Sequence, residues 1–174
     1  MKNSRRYAIV FAVYPNIRGF AFVLFESPLS PIDWGVKDMR GRRKQSRCVA
    51  SLVTILDRYQ PDIMVLQDTS PTGTQRSQRV TNLNAAFAAL APSRAIPVYA
   101  YSRDVVHSEF EYLGASNKQT MAEVIAKHIP AFERYVPPPR KPWMSQDARM
   151  GLFDAAALAL VFFQKAGGSE GQVS

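Results

Sequence analysis

The feature that most constrains this chain is a pair of apolar runs near its N-terminus, separated by a short turn. Residues 7–14 are almost continuously apolar and rich in Val, Ile and aromatic side chains, which is typical of a strand buried on both faces of a sheet. The segment from Pro15 to Gly19 has the composition of a turn, and residues 20–26 form a second run that can pair with the first as an antiparallel hairpin. This pattern predicts a sheet whose central strand comes first.

Strands and helices alternate through the rest of the chain. Shorter apolar runs predict three further strands, at residues 32–36, 62–67 and 96–101. Helical periodicity, capping residues and prolines predict a helix that ends at Pro61, one from about Val80 to Pro92, a short one capped by Ser102, one from Ser116 or Asn117 to Ile129, and one from about Ser145 to Lys165. Three meandering strands followed by strand–helix–strand crossovers predict an α/β fold, in which helices flank both faces of a mixed five-stranded sheet.

The length of 174 residues indicates one domain, and we predict that it spans residues 1–165 and is followed by a disordered tail at 166–174. The hydrophilic run at residues 68–79 is predicted to be a mobile loop that carries Arg76 and Arg79. A single cysteine, Cys48, excludes an internal disulfide, favours a reducing compartment, and is interpreted as a small core residue. Two histidines far apart in the sequence give no support for a zinc site.

The charge of the chain points to polyanionic partners. The formal net charge is +8 and the isoelectric point is about 9.9, which favours nucleic acid or an acidic membrane surface. No segment reaches the ~18 apolar residues of a membrane span, and Pro15, Asn16 and Arg18 interrupt the N-terminal apolar run, which lacks a signal-peptide cleavage site. We therefore expect a cytoplasmic protein that binds nucleic acid and does not enter a membrane.

Four segments stand out, namely YPNIRGFAFVLFE, PDIMVLQD, residues 96–129 and GLFDAAALAL. Together they resemble the RNase H-like fold in its branch of RuvC-type Holliday-junction resolvases. YPNIRGFAFVLFE is similar to that branch's Asp-Pro-Gly-x-x-x-Gly opening, and PDIMVLQD is similar to its fourth strand, which ends in Glu. Residues 96–129 are similar to the family's fifth strand and the Lys-bearing helix that follows it. GLFDAAALAL resembles the family's closing Asp-x-x-Asp-Ala-Leu-Ala helix. The resemblance covers residues 7–163. It implies nucleic-acid binding, DNA in preference to RNA, and a homodimer.

The resemblance places four catalytic carboxylates at positions where this chain has mostly other residues. Tyr14, Gln67 and Gly151 stand at three of these positions, and only Asp154 is acidic. Resolvase-like nucleases hold two Mg²⁺ ions ~3.5–4 Å apart between such carboxylates, and Mg²⁺ prefers hard, anionic oxygen ligands. Asp68 is the nearest substitute, but it is expected to face away, since successive strand side chains alternate. We predict no metal site and no cofactor beyond weak Mg²⁺ binding.

Asp154 is the most informative single residue because it precedes the almost wholly apolar run AAALALVFF. A carboxylate at the edge of a buried helix costs several kcal/mol unless it is paired or bound to metal. Its partner is predicted to be Arg149, Arg18 or backbone amides, while residual catalytic use is the alternative. Asp147 lies seven residues earlier, about 10 Å along a predicted helix, which is too far to share an ion.

Basic residues gather in several segments that are expected to line one face. Lys118 begins a helix, where free amides already favour phosphate, and the matching Lys of the resembled family contacts DNA. Trp143 lies in a Pro-rich basic loop and is suited to stacking on a base. The full predicted nucleic-acid-binding set is Arg18, Arg40, Arg42, Arg43, Lys44, Arg47, Arg76, Arg79, Lys118, Arg140, Lys141 and Trp143.

Three functional hypotheses follow from these observations. The first is a pseudo-nuclease, a RuvC-like domain that binds branched or duplex nucleic acid without cutting it. The second is an active but divergent metal-dependent endonuclease that uses Asp154, with Asp68 or Asp147 as a second acid. The third is a structural or partner-binding subunit that retains only the fold.

Overall fold

The computed structural model describes residues 8–70 and 76–170 of the chain. Five strands form one sheet in the order β3-β2-β1-β4-β5. The strands are β1 (Val10–Pro15), β2 (Gly19–Ser27), β3 (Ser30–Asp38), β4 (Ile63–Gln67) and β5 (Val98–Tyr101). The helices are α1 (Lys44–Tyr59), α2 (Gln78–Ala88), α3 (Arg103–Glu111), α4 (Lys118–His128) and α5 (Met150–Glu170), with short 3-10 helices at Pro92–Arg94 and Pro130–Tyr135. The predicted mixed α/β sheet with a central first strand is confirmed.

Only β2 runs against the direction of β1. It pairs antiparallel with both β1 and β3, while β4 pairs parallel with β1 and β5 pairs parallel with β4. Four strands therefore end at the same edge of the sheet, at Pro15, Asp38, Gln67 and Tyr101. We call this the C-terminal edge, and ligands of open α/β sheets usually bind outside such an edge.

Helices cover both faces of the sheet, and each face has its own core. α1 and α2 pack on one face, where Cys48 is fully buried beside Leu52 and Phe87, as predicted. α3, α4 and α5 pack on the other face, where α5 lies across β1 and β2. Because α5 is apolar on all sides over residues 152–161 except at Asp154, it is buried from Met150 to Val161, apart from the partly buried Leu160. None of the helices in the described residues is long and apolar enough to span a membrane.

A tight hairpin turn brings the ends of β1 and β3 together. The side-chain oxygen of Asn16 accepts hydrogen bonds from the amides of Arg18 (2.8 Å) and Gly19 (2.9 Å), which is a local turn of the Asx type. A Cβ on Gly19 in β2 would lie only 1.9 Å from the carbonyl oxygen of Lys37 in β3, so β2 and β3 can approach this closely only at a glycine. The amide of Met39 then donates to the Arg18 carbonyl (2.7 Å).

The structure corrects several predicted boundaries. β3 is longer than residues 32–36 because it pairs with β2 along its length, and the segment after Ser27 is a hairpin turn. α5 starts at Met150 and not near Ser145, since the Asp147 side chain accepts from the Arg149 amide (2.9 Å) in a local turn before the helix.

Two further differences concern the predicted loop and tail. α2 begins at Gln78 with Ser77 as its N-cap, so Arg79 lies in a helix and only Arg76 lies in the loop before it. The predicted mobile loop also includes residues 71–75, which are outside the described residues. α5 continues past Lys165 to Glu170, and residues 171–174 of the predicted tail are likewise outside the described residues.

Candidate nucleic-acid interface

The C-terminal edge brings together the four positions that the sequence singled out. The parallel register of β1 with β4, continued to the strand ends, sets Tyr14 level with Gln67. The antiparallel register pairs Tyr14 with Ala21, and a Cβ on Gly151 would lie 3.2 Å from the Cβ of Ala21. Asp154 follows Gly151 by about one turn of α5. We call the group Tyr14, Gln67, Gly151 and Asp154 the Tyr14 corner.

Asp154 is buried and forms an ion pair with Lys118. The carboxylate is 8% exposed, and the ammonium nitrogen of Lys118 donates to its Oδ2 at 3.2 Å. The expected partners, Arg149 and Arg18, were wrong, because Arg149 pairs with Asp147 at 2.7 Å instead. Lys118 reaches the carboxylate because α4 begins at the C-terminal edge, with Asn117 as a capping-box residue. The pair links two helices at the edge of the sheet.

Tyr14 is in contact with two cations. Arg76 donates hydrogen bonds to the Tyr14 hydroxyl and to the Pro15 carbonyl, and its guanidinium carbon lies 4.5 Å from the centre of the Tyr14 ring. The ammonium of Lys118 lies 5.5 Å from the centre of the same ring. Both distances are within the range of cation–π attraction. Tyr14, which stands where the resembled motif has an acid, thus contacts two positively charged side chains.

Electrostatics at the corner are dominated by positive charge. Burial raises the pKa of Asp154, while the charge and hydrogen bond of Lys118, followed by the charges of Arg76 and Arg103, lower it. Three cations therefore act on one carboxylate. Sequence reasoning missed Arg103, although its place directly after Tyr101, the end of β5, and the N-cap Ser102 was an available signal for the C-terminal edge.

Asp68, Asp147 and Asp154 each bind another residue of the protein. Within the described residues, no three His, Cys, Asp or Glu side chains come together as a metal site. Asp68 instead accepts from the hydroxyl (2.6 Å) and amide (3.0 Å) of Ser70, and these bonds lower its pKa. Asp147 is bound by Arg149, which lowers its pKa. This leaves Asp154, already paired, as the one carboxylate at the Tyr14 corner.

A basic cavity of about 380 Å³ lies beside the hairpin turn at the same edge. Residues from the turn, from the end of β3 and from the starts of α1 and α2 line it, namely Arg18, Asp38, Met39, Arg40, Gly41, Lys44 and Arg79. Four of these side chains are cationic and one is anionic. The cavity therefore combines residues that are up to 61 positions apart in the sequence into one positive surface. We refer to it as the basic cavity.

The basic stretch at residues 40–47 contributes Arg40 and Lys44 to this cavity, and its other cations lie beside them in the sequence before and at the start of α1. Arg42 and Arg43 are exposed, and Arg43 adopts a left-handed backbone conformation (φ 56°) as the residue before the helix. Lys44 donates to the Ile17 carbonyl, and the guanidinium of Arg47 donates to the Arg40 carbonyl at 2.5 Å. The first bond attaches the basic stretch to the hairpin turn, and the second connects the two ends of the stretch. They leave Arg42 and Arg43 facing solvent.

The Pro-rich loop, residues 136–149, connects the 3-10 helix at Pro130–Tyr135 to α5 and presents an aromatic side chain. Trp143 is 78% exposed, and the ammonium of Lys141 lies 5.4 Å from the centre of its ring. Arg140 donates to the backbone of the same loop at 3.0 Å. The Pro137 carbonyl accepts from Gln119 near the start of α4 (2.8 Å), and the loop ends at Met150 at the Tyr14 corner. Both ends of the loop are thus fixed close to the C-terminal edge.

Solved structures similar to this chain include Holliday-junction resolvases. RuvC of Thermus thermophilus, in complex with a Holliday junction substrate, matches with a TM-score of 0.65 at 17% identity, over 94% of this chain and 98% of that chain. The yeast mitochondrial Holliday-junction resolvase matches with a TM-score of 0.65 at 15% identity, over 97% and 84%. The fowlpox virus Holliday-junction resolvase matches with a TM-score of 0.50 at 12% identity, over 90% and 99%.

These likenesses define the fold of the chain. No protein-family model and no curated protein matches the sequence. The strand order, the single antiparallel strand and the position of α5 show an RNase H-like fold of the RuvC type, as the sequence resemblance implies.

Proposed function

We propose that this protein binds branched or duplex nucleic acid through the C-terminal edge of its sheet and does not cleave it. The observation that carries the proposal is the basic cavity, where four cationic side chains from four parts of the chain converge beside the Tyr14 corner. Such convergence is unusual for an ordinary solvated surface, where charges of both signs are mixed. Phosphates are the ligands that a surface of this kind attracts.

The likeness to resolvases supports the choice of ligand. The solved Thermus thermophilus protein is in complex with a Holliday junction substrate, and its fold covers almost all of this chain. A four-way junction is therefore the first substrate to test, with DNA before RNA. We also propose that Trp143, exposed in the Pro-rich loop, stacks on bases that are unpaired near a branch.

The absence of cleavage is proposed from the chemistry of the Tyr14 corner. Two-metal hydrolysis needs several carboxylates to hold and neutralise the ions. Here a phenol, an amide and a glycine accompany a single carboxylate, and that carboxylate is bound by Lys118. The observation that favours a nuclease instead is the retained Asp154 itself, which would have to exchange its lysine for a metal ion.

The test is a fluorescence-anisotropy titration with a labelled four-way junction, a duplex and a single strand, each at two or more salt concentrations. We expect the junction and duplex to bind, with log K falling against log salt by roughly 0.9 per phosphate neutralised on duplex DNA. Duplexes of different sequence should bind alike, because phosphate contacts carry no base identity.

A charge-reversal pair with a matched control makes the test specific to the edge. Arg40→Glu with Arg79→Glu should weaken binding by at least about tenfold and reduce the salt slope by about two units. Arg58→Glu with Lys127→Glu makes the same change in net charge at the last turns of α1 and α4, away from the C-terminal edge. Equal losses in both pairs, or no binding of any substrate by the unaltered protein, would favour the partner-binding subunit.

A homodimer remains part of the proposal on the resemblance alone. Sedimentation at the concentrations used for binding measures it directly. A dimer would present two C-terminal edges to one branched substrate, and a monomer would limit the protein to one edge.

A further inference from the structure

Two cationic side chains, Lys118 and Arg76, lie at the Tyr14 corner, where the resemblance to resolvases implies bound metal ions. We propose that Lys118 and Arg76 bind a nucleic-acid phosphate at this corner directly, with no divalent ion between protein and phosphate. The inference rests on the proposed nucleic-acid binding and assigns to the corner its own ligand and its own chemistry. It makes the corner a phosphate site distinct from the basic cavity.

Both side chains keep hydrogen-bond donors for a ligand. An ammonium has three donors, and Lys118 uses one on Asp154 while its side chain is 39% exposed. A guanidinium has five, and Arg76 uses one on the Tyr14 hydroxyl and one on the Pro15 carbonyl. The remaining N–H groups are sufficient for the oxygens of one phosphate, for which Arg offers a planar fork and Lys a point charge.

The charge of the corner is suited to phosphate without assistance. Asp154 is the one acid there, and Lys118, Arg76 and Arg103 are the cations that act on it. Tyr14 and Gln67 are neutral. A cluster of several carboxylates would repel phosphate until metal ions neutralised it, whereas an excess of cations attracts phosphate as it stands. The positive charge at the corner is thus supplied by side chains of the protein and not by metal ions.

The start of α4 contributes backbone donors at the same place. Lys118 is the first residue of an 11-residue helix whose N-cap, Asn117, accepts from the Thr120 amide. The amides of Lys118 and Gln119 have no acceptor within the helix, so they favour an anion at this end. The Lys118 ammonium and the free amides at the start of α4 therefore both favour an anionic ligand.

The position of Arg76 is fixed before any ligand arrives. Its two hydrogen bonds to Tyr14 and Pro15, together with its place over the Tyr14 ring, join residues about 60 positions apart. A side chain held in this way loses less conformational entropy on binding than a mobile one. Tyr14 holds Arg76 in place and leaves its positive charge intact. An acid at the same position would also hold Arg76, but it would neutralise that charge.

The experiment uses the full chain and a labelled four-way junction in EDTA and in Mg²⁺ at matched ionic strength. Equal affinity in both buffers is expected, while binding that requires Mg²⁺ would overturn the inference. Arg76→Gln should weaken binding in EDTA by about tenfold and lower the salt slope by about one unit. Lys127→Gln makes the same charge change at the last turn of α4, and it should alter binding less than about twofold.

A second variant removes the ammonium without changing the net charge. Lys118→Met combined with Asp154→Asn loses one charge of each sign and leaves no unpaired buried carboxylate. It should also weaken binding in EDTA by about tenfold. If the junction binds the unaltered protein, but Arg76→Gln and the double variant both behave like Lys127→Gln, the phosphate site is overturned while the proposed function stands. If the unaltered protein binds no nucleic acid, both fail together.

Discussion

Replacing Lys118 by Met is predicted to leave the carboxylate of Asp154 without its closest cation. The carboxylate is 8% exposed, and Lys118 approaches it to 3.2 Å. Breaking a fully buried ion pair by removing one partner costs ~3–5 kcal/mol, because a desolvated charge is left uncompensated. Lys118 is 39% exposed, and Arg76 and Arg103 also act on the carboxylate, so solvent and these charges offset part of the cost. We expect a loss of about 2 kcal/mol in the free energy of unfolding at neutral pH.

The pH dependence of this variant has a defined sign. Burial already raises the pKa of Asp154 in the folded protein, and removing Lys118, the largest opposing influence, raises that pKa further. The folded state then holds a proton up to a higher pH than the unfolded chain, in which Asp titrates near ~3.9. The contribution of Asp154 to the stability of the variant should therefore be most favourable below about pH 4 and should fall as pH rises through its folded-state pKa.

Urea unfolding followed by circular dichroism measures both effects. A loss of about 2 kcal/mol corresponds to a decrease in Tm of about 4–8 °C for a chain of this length. Adding Asp154→Asn to Lys118→Met should recover most of the loss and remove the pH dependence, since the neutral amide needs no cation. A single Lys118→Met variant as stable as the original at neutral pH, with an unchanged pH profile, would refute the buried, lysine-paired carboxylate.

Three further predictions follow from close contacts and exposure. Gly151→Asp should lower stability by ~1–3 kcal/mol in the same urea assay, because a Cβ there would lie 3.2 Å from the Cβ of Ala21; unchanged stability would contradict this packing. Gly19→Ala should prevent the hairpin from closing, since its Cβ would lie 1.9 Å from the Lys37 carbonyl oxygen, and a folded variant with unchanged Tm would oppose this prediction. Trp143→Ala should weaken binding to substrates with unpaired bases by ~1–3 kcal/mol per stacked base and leave plain duplex binding unchanged, as measured by anisotropy.

The strand order was predictable from the sequence because its signals are local and strong. The continuous apolar run of β1 and the turn before Gly19 determine a central strand with a hairpin partner. Residues Ser102 and Asn117 are N-caps in the structure, as expected from their side chains. The gathering of Tyr14 and Asp154 at one edge then follows from the order of the elements.

The partners of the site residues were not predictable in the same way. Arg76 contacts Tyr14 across 62 positions, and Lys118 contacts Asp154 across 36, so neither pairing leaves a local pattern in the sequence. The expected partner Arg149 was closer to Asp154 in sequence, but it is bound by Asp147 in the turn before α5. Side-chain competition of this kind decides helix starts and ion pairs only after the chain has folded.

We propose that a RuvC-type fold binds nucleic acid here with built-in cations and without cleavage. The most direct measurement incubates a strand-labelled four-way junction with saturating protein in Mg²⁺ and, separately, in Mn²⁺. One half of each sample is run on a native gel and the other half on a denaturing gel. We expect a bound complex on the native gel and intact strands on the denaturing gel. Metal-dependent cleavage products that disappear in Asp154→Asn would contradict it.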